Sequence, residues 1–217
     1  MIDRFGVSRG TLREALRILE SEGLVQVSRG AKGGAVVLDP ETESIAVQVG
    51  TYLQLQTARL EDLFAARVIY EPAAARAIAE RRDQAVLAAL AQCVAAQEFC
   101  VHDMALYRSH EDEFRKVMLS NCGNPVLSLM GGVIDTVFKR HIDQLSEGAV
   151  RQVSEHMQEG VRAKRRIVDF MGKGDGEAAE RAWRIYIQTF WDRFVAALGP
   201  DATLKYYTSA TKPPRQA

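Results

Sequence analysis

Nothing in this sequence runs apolar for the length of a bilayer, so no segment is expected to cross a membrane as a helix. No signal peptide precedes the first motif, and the cytoplasm is the expected compartment. Cysteine is scarce: Cys93, Cys100 and Cys122 are odd in number and lack metal-ligand spacing, which argues against a disulfide framework. An excess of either charge is missing too, with 28 basic against 28 acidic residues in 217. Any affinity for a polyanion must therefore be local. No nucleophile–base pair, glycine-rich phosphate loop or metal-ligand set is present, and the four histidines, His102, His110, His141 and His156, form no recognisable ligand pair. Enzymatic chemistry is not expected, and neither is a cofactor.

The stretch from Phe5 to Val36 is rich in signal. Ser8 has the side chain of an N-cap, able to accept a hydrogen bond from a free amide at a helix start. Leu12, Leu16 and Leu19 then recur at helical spacing. Arg9, Arg13 and Arg17 recur every fourth residue and place a row of guanidinium groups on another face. Gly23 stops the helix. Leu24, Val25 and Val27 read as one short strand and Ala35, Val36 and Val37 as a second, with Gly30, Gly33 and Gly34 supplying the turn. A helix with a basic face followed by a β-hairpin describes a winged helix-turn-helix, whose work is to read duplex DNA. The alternative is that the arginines only solvate an amphipathic helix.

The run VSRGTLREALRILESEGLV and the turn SRGAKGG resemble the DNA-reading half of GntR-family transcriptional regulators. The resemblance implies that Ser8, Arg9, Thr11 and Arg13 lie at the DNA, and that Arg29 and Gly30 form the wing tip. Arginine can bind guanine O6 and N7 bidentately, whereas a threonine hydroxyl and a glycine amide suit phosphate. The chain starts at Met1-Ile2-Asp3-Arg4, where the family is part-way through the helix before the turn. A mis-assigned start, a truncated chain and a natural loss of DNA binding are all open. The chain with this start is expected to bind DNA poorly unless upstream residues are restored, because the preceding helix would cover Leu16 and Leu19 and burial of a leucine is worth about 1.5–3 kcal/mol.

Residues 39–44, DPETES, read as a polar linker, and everything after them reads as helix: 43–57, 60–80, 83–100, 102–120, 124–146, 150–172 and 175–198. Asn124-Pro125 has the chemistry of an N-cap followed by proline at the first helical position; Gly172, Gly174 and Asp175 mark a stop and a start. Trp183, Phe190, Trp191 and Phe194 recur at three- and four-residue steps, as a core or dimer-interface face does. Met130-Gly131-Gly132 suits close helix approach or a bend, and Arg162, Lys164, Arg165 and Arg166 cover most of a turn, so most of them must face solvent. The expected fold is mainly α: a winged helix-turn-helix over 1–38 with its first helix missing, the linker at 39–44, an all-α bundle of six to seven helices over 45–198, and a flexible tail over 199–217.

The pieces LEDLFAARVIYEPAAARAIAE, DEFRKVMLSNCGNPVL and MGKGDGEAAERAW, in this order, resemble the ligand-sensing FCD domain of the FadR-like branch of that family. The resemblance implies a homodimer on a pseudo-palindromic operator, responding to a small effector that is often a carboxylate, or acyl-CoA-like. It also implies a place where many members hold a divalent metal through one acid and three histidines; here those positions fall on Glu111, Arg115, Lys164 and Tyr186. Arginine and protonated lysine have no lone pair to give, so no metal is expected. Arg115 and Lys164, with Tyr186 and Arg67, are instead candidate contacts for an anionic effector. Equally open is that Glu111 pairs with Arg115 or Lys164 and plugs the place, and that Arg67 and Glu71 are an ordinary i,i+4 pair. Two functions follow: an effector-responsive regulator without enzymatic chemistry, or a free-standing helical ligand-binding or scaffold protein with a vestigial DNA-binding head.

Overall fold

Helix α1 (Arg9–Ser21) begins where Ser8 leaves extended backbone and its side-chain oxygen accepts from the Thr11 amide. It ends at Gly23, whose φ of +71° admits no side chain without strain, while the Gly23 amide donates back to the Glu20 carbonyl. Strands β1 (Val25–Ser28) and β2 (Gly34–Val37) pair antiparallel, with Val25 opposite Val37 and Ser28 opposite Gly34. The Glu20 side chain receives the Val27 amide at 3.0 Å, tying the helix to the wing. These coordinates of a computed structural model describe residues 5–28, 34–38, 42–142 and 156–198. Arg29, Gly30 and the tail at 199–217 lie outside the described residues.

Among the described residues seven further helices follow: α2 (Thr42–Leu55), α3 (Leu60–Arg81), α4 (Gln84–Phe99), α5 (Met104–Ser120), α6 (Pro125–Ile142), α7 (Met157–Lys173) and α8 (Gly176–Leu198). The polar linker is shorter than its composition indicates. Thr42, Glu43 and Ser44 are already helical, because an acidic residue in a first turn favours the helix start. Caps fall where the side chains ask for them. Asp83 accepts from the Ala85 and Val86 amides, Asp103 from Leu106, and Asn124 from Val126 and Leu127 ahead of Pro125. Gly172 stays inside α7, and it is Gly174, at φ +77°, that ends it before Asp175 caps α8.

Helix α3 is the axis of the bundle and lies against α5, α6, α7 and α8. Ala74, Ala75 and Ala79 are fully buried on it. Pro72 sits in its middle and removes the amide that would answer the Val68 carbonyl. Arg184 of α8 answers it instead, donating at 2.9 Å. Aromatic rings fill the space beside α3: Phe64 meets Phe138 edge-on at 5.3 Å, and Phe114 stacks on Trp183 at 5.5 Å. Trp183 and Phe194 are buried and Phe190 and Trp191 half-buried, so the α8 aromatic face is core.

Gly131 and Gly132 mark close approaches rather than a break in α6. A Cβ on Gly131 would lie 2.7 Å from Cδ1 of Leu119, and one on Gly132 would lie 3.0 Å from Cγ2 of Thr42. Leu119 is itself buried and cannot swing aside. Gly131→Ala is therefore expected to cost about 1–3 kcal/mol, read as a fall in melting temperature of roughly 2–4 °C per kcal/mol for a chain of this size. An unchanged melting temperature would show that α5 and α6 are not in contact there.

Candidate functional site

Two places combine exposure, charge and shape. The first is the outer face of α1. Arg9 and Arg13 are exposed and have no ion pair among the described residues; Arg17 is exposed and only 3.8 Å from Glu14. The row of guanidinium groups therefore stands in solvent. The hydroxyls of Ser8 and Thr11 share a hydrogen bond of 2.9 Å at the helix start, beside the Thr11 amide bond to Ser8. Their first task is capping. That leaves Arg9 and Arg13 as the long, unengaged donors on this face.

The second place is inside the bundle, where α5, α7 and α8 face one another and α6 closes one side. The charged groups at its centre are buried or partly buried, and each is paired. Arg115 donates through Nε to both oxygens of Asp135 at 3.0 and 3.1 Å, through Nη1 to Glu111 at 3.2 Å, and through Nη2 to Asp112 at 2.6 Å. Glu111 in turn accepts from Lys164 Nζ, from Gln97 at 2.9 Å and from the Tyr186 hydroxyl at 3.0 Å. Lys164 is fully buried, and its ammonium lies over the rings of Tyr107 at 5.1 Å, Tyr186 at 5.4 Å and Phe114 at 5.9 Å. The rings stabilise the cation through their quadrupoles as water would have done.

The electrostatics follow from that arrangement. Burial alone would raise the Glu111 carboxyl, but Lys164 and Arg115 reverse it and hold it down to about 2. Burial lowers Lys164, and Glu111 offsets this only in part. Burial and the neighbouring Glu111 raise the Tyr186 phenol well above its usual value, so it stays a neutral donor. A second buried pair lies next door: Arg67 Nε donates to Glu71 at 2.6 Å, and the other Glu71 oxygen accepts from Trp183 at 2.9 Å. Arg67 also lies over the rings of Phe64 and Phe138.

Beside this network is a cavity of about 570 Å³ whose wall is mostly apolar. Glu111, Arg115 and Tyr186 reach its wall; Arg67 and Lys164 do not. The expectation that Arg67 and Lys164 touch an effector is corrected: both are consumed behind the wall, by Glu71 and Glu111. The donor set at Glu111, Arg115, Lys164 and Tyr186 does not fit a zinc-like ion, because guanidinium and ammonium groups offer no lone pair. Among the described residues no group of three or more histidine, cysteine or acidic side chains is placed to hold a metal.

Each place falls within a stretch that matches a known protein family. The FCD domain model matches residues 62–189, and the model described as bacterial regulatory proteins, gntR family, matches residues 1–37. The chain belongs to the GntR family, FCD branch. It is a DNA-binding transcriptional regulator by family. Over 192 residues it is 27% identical to the HTH-type transcriptional repressor NanR of Salmonella newport (strain SL254), covering 85% of this chain and 70% of that one. NanR of Salmonella arizonae is 26% identical over the same length. In shape the chain is similar to Streptococcus agalactiae GntR, with a TM-score of 0.63 at 21% identity, covering 87% of this chain and 83% of that one. E. coli McbR/YncC shares the fold at a TM-score of 0.53 and 14% identity, covering 90% of this chain and 84% of its own. No described helix is long and apolar enough to cross a membrane.

Sequence reasoning missed Gln97, Asp112, Asp135 and Tyr107. Asp112 was within reach of it, three residues before Arg115; Gln97 and Asp135 are polar residues flanked by apolar ones in their helices, a sign that a buried partner awaits.

The Glu111 carboxyl gives a signed prediction. Its folded value lies below its unfolded one, so its contribution to stability is present above the ordinary carboxylate range and is lost as pH falls from about 4.5 toward about 2. Glu111→Gln is expected to lower the melting temperature at neutral pH and to flatten that acid limb, measured by thermal unfolding across pH. A variant with the same acid limb as the native protein would show that Glu111 is not held ionised by its partners.

Proposed function

We propose that this GntR-family protein acts in the cytoplasm as a homodimer on a pseudo-palindromic operator, and that a small anionic effector held in the bundle cavity changes how it binds. The observation that carries this reading is the cavity itself, which has Arg115, Tyr186 and Glu111 on its wall within the FCD domain. Arg9, Thr11 and Arg13 of α1, with Ser8 at its cap and Arg29 and Gly30 at the wing, are the proposed contacts to DNA. Exposed Val126, Leu129 and Met130 lie at i, i+3 and i+4 of α6 and form a patch suited to a second copy.

A route from cavity to head is at hand. Arg115 grips Asp135 of α6; Arg140 of the same helix donates to Glu43 of α2 at 3.1 Å. Helix α2 is the one that follows the wing. A ligand filling the cavity bears on the wall that Arg115 and Asp135 hold together, and through it on the seat of α2.

The test is fluorescence anisotropy of the full-length protein on duplexes flanking the gene, at two salt concentrations. The expected result is site-selective binding that weakens steeply with salt. Arg13→Ala is expected to cost about 1–3 kcal/mol on the specific duplex and little on random DNA. Equal weak binding to every duplex, by the native protein and Arg13→Ala alike, would sink the reading.

A further inference from the structure

The cavity wall carries six cationic side chains, and all but one are already answered. Arg115 is saturated by Glu111, Asp112 and Asp135; Lys139 is paired with Asp112, Arg181 with Glu177 and Arg193 with Glu159. Arg108 has an engagement of its own. Arg166 of α7 has no polar partner among the described residues. Its guanidinium lies over the Phe170 ring, 5.4 Å from the centroid. Stacking of that kind fixes the plane of the group while leaving its N–H edge open for a planar, bidentate acceptor. Arg166 is also exposed, so an anion meeting it keeps much of its contact with water and pays little desolvation.

The other end of the cavity has the opposite character. Helices α7 and α8 run antiparallel from the turn at Gly174 and Asp175, as the Glu159–Arg193 pair and the contact of Gly160 with the Tyr186 ring show. This register puts Arg166 level with Trp183. From there, at about 1.5 Å of rise per residue, Phe190 lies roughly 10 Å and Phe194 about 16 Å along α8. Both rings line the cavity, with Phe138 of α6 beside them. Phe138, Phe190 and Phe194 all pack on Phe64, so this end is an extension of the aromatic core.

We infer that the effector is an elongated carboxylic acid with an apolar body, its carboxylate held by Arg166 near solvent and its body lying along α8 to Phe190, Phe194 and Phe138. This rests on the effector reading proposed above and assigns that site its ligand class and its anchoring residue. Arg115, for all its charge, holds the wall together and does not anchor the acid. A compact polyhydroxylated acid leaves the ring wall of Phe138, Phe190 and Phe194 uncovered, and Arg193 and Glu159 near it are already paired with each other.

Isothermal titration of the full chain with butanoate, hexanoate, octanoate, octanol and gluconate decides the matter. Affinity is expected to rise roughly fourfold per methylene from butanoate to octanoate. Octanol is expected to bind at least tenfold more weakly than octanoate, and Arg166→Gln to weaken octanoate roughly tenfold or more while leaving octanol unchanged. Arg162→Gln, on the exposed side of the same helix, is the matched control and is expected to leave octanoate binding intact. Octanoate binding that ignores Arg166→Gln, or that matches octanol, would overturn the anchor. Gluconate binding with no alkanoate binding would overturn the ligand class and leave the effector reading standing. Failure of every acid to bind would remove the effector reading itself.

Discussion

One carboxylate holds the bundle's interior in its present form. Glu111 is in reach of a guanidinium, an ammonium, an amide and a phenol at once, drawn from α4, α5, α7 and α8. It favours the ammonium form of Lys164 against burial, and Lys164 and Arg115 in turn hold it ionised. A buried pair of this sort contributes little net stability compared with a well-packed apolar set, but removing one member leaves a charge stranded. The four helices are thereby fixed in one arrangement, and the adjoining cavity keeps its wall when empty.

The same arrangement explains why Arg115 and Lys164 do different work despite similar charge. The planar fork of Arg115 serves three carboxylates in three directions and ties α5 to α6. The compact ammonium of Lys164 fits a box of three rings with one carboxylate. Exchanging the two would leave the fork unsatisfied in the box and the three carboxylates short of donors.

Much of the fold was legible in the sequence because capping is local chemistry. Ser8, Asn124-Pro125, Gly174 and Asp175 announce helix ends within a few residues of themselves, and the wing follows from alternating valines around glycines. DPETES is equally good as a polar joint and as a helix start, so the expected joint at 39–44 and the expected helix from 43 overlap; packing of α2 on α6 holds the helix start, and packing is not local. The positions of Glu111, Arg115, Lys164 and Tyr186 came from family resemblance, and the pairing of Glu111 with Arg115 or Lys164 was one of two readings left open; in the structure Glu111 pairs with both. Fifty-three residues separate Lys164 from Glu111, and no spacing rule reaches that far. Arg166 was hidden in a basic cluster whose four members look alike on paper, yet one is fully buried and the other three are exposed.

Pro72 is the feature with the widest reach. By withholding one amide it leaves the Val68 carbonyl to Arg184, so the inner helix and the helix bearing the aromatic lining share a single key. Helix α8 cannot roll about its own axis without baring that oxygen. This bond favours movement of α3 and α8 together as one block, and in the proposed effector response it leaves the compliance to the opposite side, where α6 meets α2.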